Sequence, residues 1–131
     1  MRISGLEGGL SARRAPQSDL AVSDVEATIG RGTAGYAGPV GVYVEDVENI
    51  HVTIVNSGPD AVAAGKVQGN DFEPHDTDSR WIDVPGAVFA AIAAGGSQTL
   101  TLQGKPFKWM RVRANTAAGQ TAVVSLAWAG Q

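Results

Sequence analysis

The sequence predicts an all-β fold: an antiparallel β-sandwich of jelly-roll-like type, preceded by an irregular N-terminal arm. Three observations predict it. Apolar and polar residues alternate at the two-residue period of strands in segment after segment. Clusters of Gly, Pro, Asn and Asp separate these segments at roughly 8–14-residue intervals, the spacing of sandwich strands. Nothing in the chain reads as a strand–helix–strand unit or a sequence repeat.

The division falls near residue 39, with an arm over 1–38 and a β-sandwich domain over 39–131. Glycine is frequent in the arm and periodicity is not sustained. Ser18-Asp19 has the chemistry to cap a short helix over Leu20–Ile29, but the Val, Thr and Ile of that stretch suit an irregular strand equally well. From residue 39 the alternation is regular. Val40, Val42 and Val44 alternate with Gly41 and Tyr43, and Ile50, Val52 and Ile54 with His51, Thr53 and Val55. Asn56-Ser57-Gly58-Pro59-Asp60 reads as a turn, and Val62–Val67 as a short strand running into Gly69-Asn70-Asp71. Trp81–Val84 forms a further strand closed by Pro85-Gly86. Residues 87–94 contain helix formers, but Pro-Gly and Gly-Gly bracket them, which favours a strand with a turn. The last third is the most regular. Leu100 and Leu102 face one way. In 107–114, Met110 and Val112 oppose Trp109, Arg111 and Arg113. In 121–129, Val124, Leu126 and Trp128 share a face.

Composition narrows the function classes. A chain of 131 residues that is 44% hydrophobic supports one domain with a true core. It has no cysteine, so disulfide staples, thiolate zinc sites and cysteine nucleophiles are all excluded. With 17 glycines and many alanines the core is thin, and burial against neighbouring molecules would add to its stability. No run approaches the ~20 apolar residues of a membrane-spanning helix, so no membrane partner is expected. The opening Met1–Gly5 lacks the apolar stretch of a secretion signal, so the expected product is made in a reducing cytoplasm.

Net charge is −3 but unevenly spread. Residues 45–84 hold nine acids against Lys66 and Arg80, a net of −7, whereas 85–131 hold Lys105, Lys108, Arg111 and Arg113 with no acid, a net of +4. Two readings stay open: cross-strand pairing within one sandwich, or opposite patches that meet on neighbouring molecules. A nucleic-acid partner is not expected of a domain that is acidic overall.

No catalytic constellation is recognisable, and the expectation is a protein that is not an enzyme and needs no cofactor. No serine stands in a Gly-x-Ser-x-Gly elbow, and no phosphate-cradling glycine loop is present. Of the two histidines, His51 lies in a strand and reads as half-buried and structural, while His75 lies in the acidic loop 71–78. Asp71, Glu73, Asp76 and Asp78 of that loop are candidate ligands for a hard cation such as Ca²⁺, although they lack EF-hand spacing and Pro74 stiffens the middle. A solvated acidic loop is the simpler reading. Trp81 is a candidate core anchor. Trp109, Arg111 and Arg113 project from one strand face and belong to the residue types that dominate protein interfaces, which makes them interface candidates, together with Arg13 and Arg14 of the arm. The alternatives for Trp109 are packing within the sandwich under arginine stems and stacking on a sugar.

The series Gly65–Asp71, Trp81-Ile82-Asp83-Val84, Leu100-Thr101-Leu102 and Pro106–Arg113 resembles the β-sandwich modules of bacteriophage structural proteins and, more distantly, discoidin-like sandwiches. The likeness runs over residues 50–128. The chain departs from the pattern at Gly69-Asn70, which lacks a serine, and in a longer acidic insertion before Trp81. With its irregular arm the chain is similar to capsid decoration (cement) proteins. That resemblance implies a non-catalytic virion protein that binds the major capsid protein or another virion protein as a dimer or trimer, stabilises the assembled shell, and is located in the virion after synthesis in the host cytoplasm. A tail, baseplate or fibre component is the alternative, and a carbohydrate-binding module a further one.

Overall fold

The period-two alternation is realised as nine strands among the described residues. The computed structural model describes residues 14–29, 41–45, 47–73, 75, 77–104 and 106–130, with side chains from Gln17 onward. The strands are β1 (Arg14–Val22), β2 (Ala27–Ile29), β3 (Val42–Tyr43), β4 (Asn49–Pro59), β5 (Val62–Asn70), β6 (Ile82–Phe89), β7 (Ser97–Gln103), β8 (Trp109–Thr116) and β9 (Ala122–Gly130). No helix occurs among the described residues, and so none long and apolar enough to cross a membrane.

The strands make two antiparallel sheets. One has the order β1-β9-β4-β7; the other has β2-β8-β5-β6, with β3 also pairing β8. The pairings are nested: β1 with β9, β2 and β3 with β8, β4 with β7, and β5 with β6. This is one long hairpin with its apex in the 71–81 loop, rolled so that β4 also meets β9 and β5 also meets β8. Counting β2 and β3 as one interrupted strand, this is the two-sheet jelly roll. The chain is a β-sandwich.

Alternation explains the layering. Along β4, Ile50, Val52 and Ile54 are 0–1% exposed, and His51, Thr53 and Val55 face outward. Across from them lie Met110, Val112 and Val67, all fully buried. Burying each such side chain stabilises the fold by about 1.5–3 kcal/mol. Trp128 fills the space between the sheets and is 2% exposed.

Several local expectations are revised. Within the expected arm, residues 14–22 and 27–29 form sheet strands, and Val22 and Ile29 enter the core; 1–13 and 30–38 lie outside the described residues. Ser18-Asp19 caps no helix. It forms a bulge where the register shifts between Gln17 and Leu20, with Asp19 at φ 58°. Asn56–Asp60 is likewise not a free turn, because β4 continues to Pro59 through a register shift between Asn56 and Gly58. Pro85-Gly86 does not close its strand: β6 runs on to Phe89, and as an edge strand it tolerates the missing N–H.

Candidate protein-binding face

Strand β8 turns Met110, Val112 and Ala114 toward the core, so Trp109, Arg111 and Arg113 project together from the outer face of their sheet. Register supplies their neighbours. On β5, Lys66, Gln68 and Asn70 stand opposite Arg113, Arg111 and Trp109. Thr28 of β2 stands opposite Arg113, and Tyr43 of β3 opposite Trp109. Asp83 of β6 adjoins Gln68.

These side chains are held in place by one another. Arg111 donates from Nε and Nη2 to Gln68 Oε1 at 3.0 and 2.8 Å, and its guanidinium lies 4.3 Å from the centre of the Trp81 ring. The Gln68 amide in turn donates to Asp83 Oδ1 at 3.0 Å, and Lys66 Nζ reaches the same oxygen at 3.1 Å. These two contacts lower the pKa of Asp83, the Gln68 hydrogen bond most of all. Arg113 donates to Thr28 Oγ1 and to the Glu26 carbonyl, both at 3.1 Å, and its Nε lies 3.5 Å from the Glu26 carboxylate. Trp109 packs edge-on against Tyr43, ring centres 5.0 Å apart and planes at 66°, while the Tyr43 hydroxyl donates to Glu45. Across the face the charges run Glu26, Arg113, Lys66, Asp83: acid, base, base, acid. Each cation thus has an acid beside it, but neither pair joins the basic end of the chain to its acidic middle, since Glu26 precedes that middle and Lys66 and Asp83 both lie within it.

The shared face of Trp109, Arg111 and Arg113 is thus as the sequence indicated, but Arg111 is not a free surface cation. It is only 6% exposed, covered by Trp81 and braced by Gln68. Trp81 is buried, but not as an anchor of the inter-sheet core: its indole packs outside, over Arg111, with Nε1 donating to the His75 carbonyl at 2.8 Å. Arg13 lies outside the described residues. Arg14 pairs through its backbone with Ala129, and its side chain is not described. His51 faces out from β4, half-buried, with Nδ1 3.1 Å from Thr101 Oγ1.

The acidic loop turns its described carboxylates on the protein itself. Asp78 takes two side-chain hydrogen bonds from Arg80, at 2.7 and 3.0 Å, and the Arg80 backbone N–H at 2.8 Å. These hold its carboxyl far below the usual range. Asp71 accepts the Lys108 backbone N–H at 3.0 Å, and Glu73 lies 3.8 Å from His75. Asp76 lies outside the described residues. No three Asp, Glu, His or Cys side chains come together as metal ligands among the described residues.

Sequence reasoning missed Gln68, Tyr43, Thr28 and Glu26. Each enters through strand register rather than local sequence, and only the alternation of Lys66, Gln68 and Asn70 along β5 hinted at an outward polar row. Fold and site define a jelly-roll β-sandwich with an aromatic–arginine face on one sheet. The sequence matches no protein-family model and no curated protein.

Proposed function

We propose that this chain is a non-catalytic virion protein that binds and stabilises an assembled bacteriophage capsid. The observation that carries the binding role is the braced face of Trp109, Tyr43 and Arg113, backed by the buried Trp81 over Arg111. Tryptophan, tyrosine and arginine supply most of the energy at protein interfaces, and here internal contacts fix their orientation before any partner arrives. The capsid as partner rests on the resemblance of residues 50–128 to phage structural sandwiches. The jelly roll is compatible with it, being common in viral shells as well as in lectins, although a fold alone assigns no role. Each copy would bridge shell subunits through this face and through the region of Arg13 and Arg14. A contact of about 1,000 Å² suffices for specific attachment, and a lattice repeats it.

The test is co-sedimentation of the purified chain with assembled shells, followed by heating of the shells with and without it. The expected result is saturable binding, a higher rupture temperature, and at least tenfold weaker binding by Trp109→Ala. Shells that rupture at the same temperature either way would overturn the cementing role. Trp fluorescence that shifts with glycans and not with shells would replace it with sugar binding.

A further inference from the structure

The free edges of the two sheets are not alike. The β1 edge carries Pro16 and the bulge at 17–20, and the β6 edge carries Asp83, Pro85 and Gly86 beside a register shift. The edge beyond β8 is broken into the short β2 and β3. Such devices keep sheet edges from pairing with other chains. Strand β7, Ser97-Gln98-Thr99-Leu100-Thr101-Leu102-Gln103, has none of them: no charge, no proline, and an uninterrupted seven-residue register against β4.

Its outward hydrogen-bonding groups can be identified. Asn56 N–H donates to Gly96 O at 2.9 Å, and Gly104 N–H to Glu48 O at 3.0 Å, at the two ends of the β4–β7 ladder. Antiparallel pairs alternate between bonded and non-bonded, so the even residues Gln98, Leu100 and Leu102 exchange bonds with β4. The N–H and C=O groups of Ser97, Thr99, Thr101 and Gln103 therefore point away from the sheet. All four residues are exposed, and among the described strands none pairs with this side of β7.

We infer that β7 is a dimerisation edge, pairing antiparallel with β7 of a second copy about a two-fold axis through Leu100. The sequence around Leu100 is symmetric, Thr-Leu-Thr, and the register centred there is the one that engages every residue of the strand. It sets Thr99 opposite Thr101 of the second copy and Ser97 opposite Gln103, each pair exchanging two backbone hydrogen bonds. Leu100 meets its own counterpart in a non-bonded pair, where side chains approach most closely. Leu100 is only half-buried at this edge of the core, so pairing completes its burial. Nothing repels across the axis, because β4, β7 and β9 present no charged side chain on their outer face. The two four-stranded sheets become one continuous sheet, and the assembly closes at two copies rather than three. This inference does not depend on capsid binding, since the aromatic–arginine face lies on the other sheet.

Sedimentation velocity of the full chain from about 1 to 100 µM tests it, with two variants. The wild type is expected to double in mass as concentration rises. Thr99→Lys with Thr101→Lys sets lysines opposite lysines on exposed positions and should weaken the dimer at least tenfold, with an unchanged far-UV spectrum. Leu100→Cys, in a chain without cysteine, should form a disulfide-linked dimer on mild oxidation far faster than Ala118→Cys in the β8–β9 turn. A monomer throughout this range, a dimer indifferent to the two lysines, or equal cross-linking of the two cysteine variants would overturn the inference. Shell binding retained by the lysine variant would leave the capsid reading standing by itself.

Discussion

Asn56 is fully buried where β4 shifts register, and it satisfies three backbone groups at once. Its amide donates to the Asp60 and Ile92 carbonyls, both at 2.9 Å, and its side-chain oxygen accepts the Gly58 N–H at 2.8 Å. Removing a partner leaves buried groups unpaired at about 1–3 kcal/mol each. Asn56→Ala should therefore lower stability by about 2–4 kcal/mol, read as a fall in the urea midpoint without a change in slope. Asp78 gives the pH dependence. Its folded pKa is depressed chiefly by the Arg80 hydrogen bonds, so its contribution is full above the ordinary carboxylate value of about 3.9 and is withdrawn as pH falls below it. Acid should loosen the 71–81 loop in that window. Trp81 fluorescence should report the change, and Asp78→Asn should remove the pH-dependent step. At this scale the outward direction of Trp109, Arg111 and Arg113 was legible, because alternation is local. The burial of Arg111 was not, because the indole that covers it arrives from a loop some thirty residues earlier in the chain.

Among the elements, β3 shows the demand a short strand makes on one backbone position. Gly41 stands at φ +82°, and a side chain there would run into the Met110 carbonyl of β8. L residues are strained in this region by about 1–3 kcal/mol, and backbone cannot yield as a side-chain tip can. Gly41→Ala should thus detach β3 from β8 and expose Tyr43 and Trp109; faster amide exchange at Val42 and Tyr43 with the rest of the sandwich protected would be the measured result. The sequence readings over 50–55, 99–103, 107–114 and 121–129 found β4, β7, β8 and β9, with ends up to four residues from the observed ones. Two of the errors fell at Gly58-Pro59 and Pro85-Gly86, where turn-forming residues sit within strands beside register shifts. A local preference for turning is overridden when neighbouring strands on both sides hold the chain extended, and only pairing reveals which case applies.

For the molecule as a whole, the charges on the candidate face are already paired within the fold, Arg113 with Glu26 and Lys66 with Asp83. Association with a partner should therefore depend on salt only moderately. Raising salt from ~0.1 to ~1 M shortens the screening length from about 10 to 3 Å and should weaken shell binding no more than about tenfold. Arg113→Glu should weaken it, and because the new carboxylate also faces Glu26 the far-UV spectrum is read alongside to show that the fold is retained. The same reversal at Arg111 would also disturb Trp81 and Gln68, and so would not separate binding from folding. Binding unchanged across this range and by Arg113→Glu would assign the contact to the aromatic side chains alone. What the sequence by itself determined was the class of the protein: strands from the two-residue period, a sandwich from their number and spacing, and a core face for each strand. The tertiary structure alone decided the rolled order of the sheets, the place of residues 14–29 within them, the bracing of Arg111, and, among the described strands, the unguarded edge at β7. The physical reason is range: side-chain alternation is written into neighbouring residues, whereas register, coverage and edges arise between segments that the chain brings together from far apart.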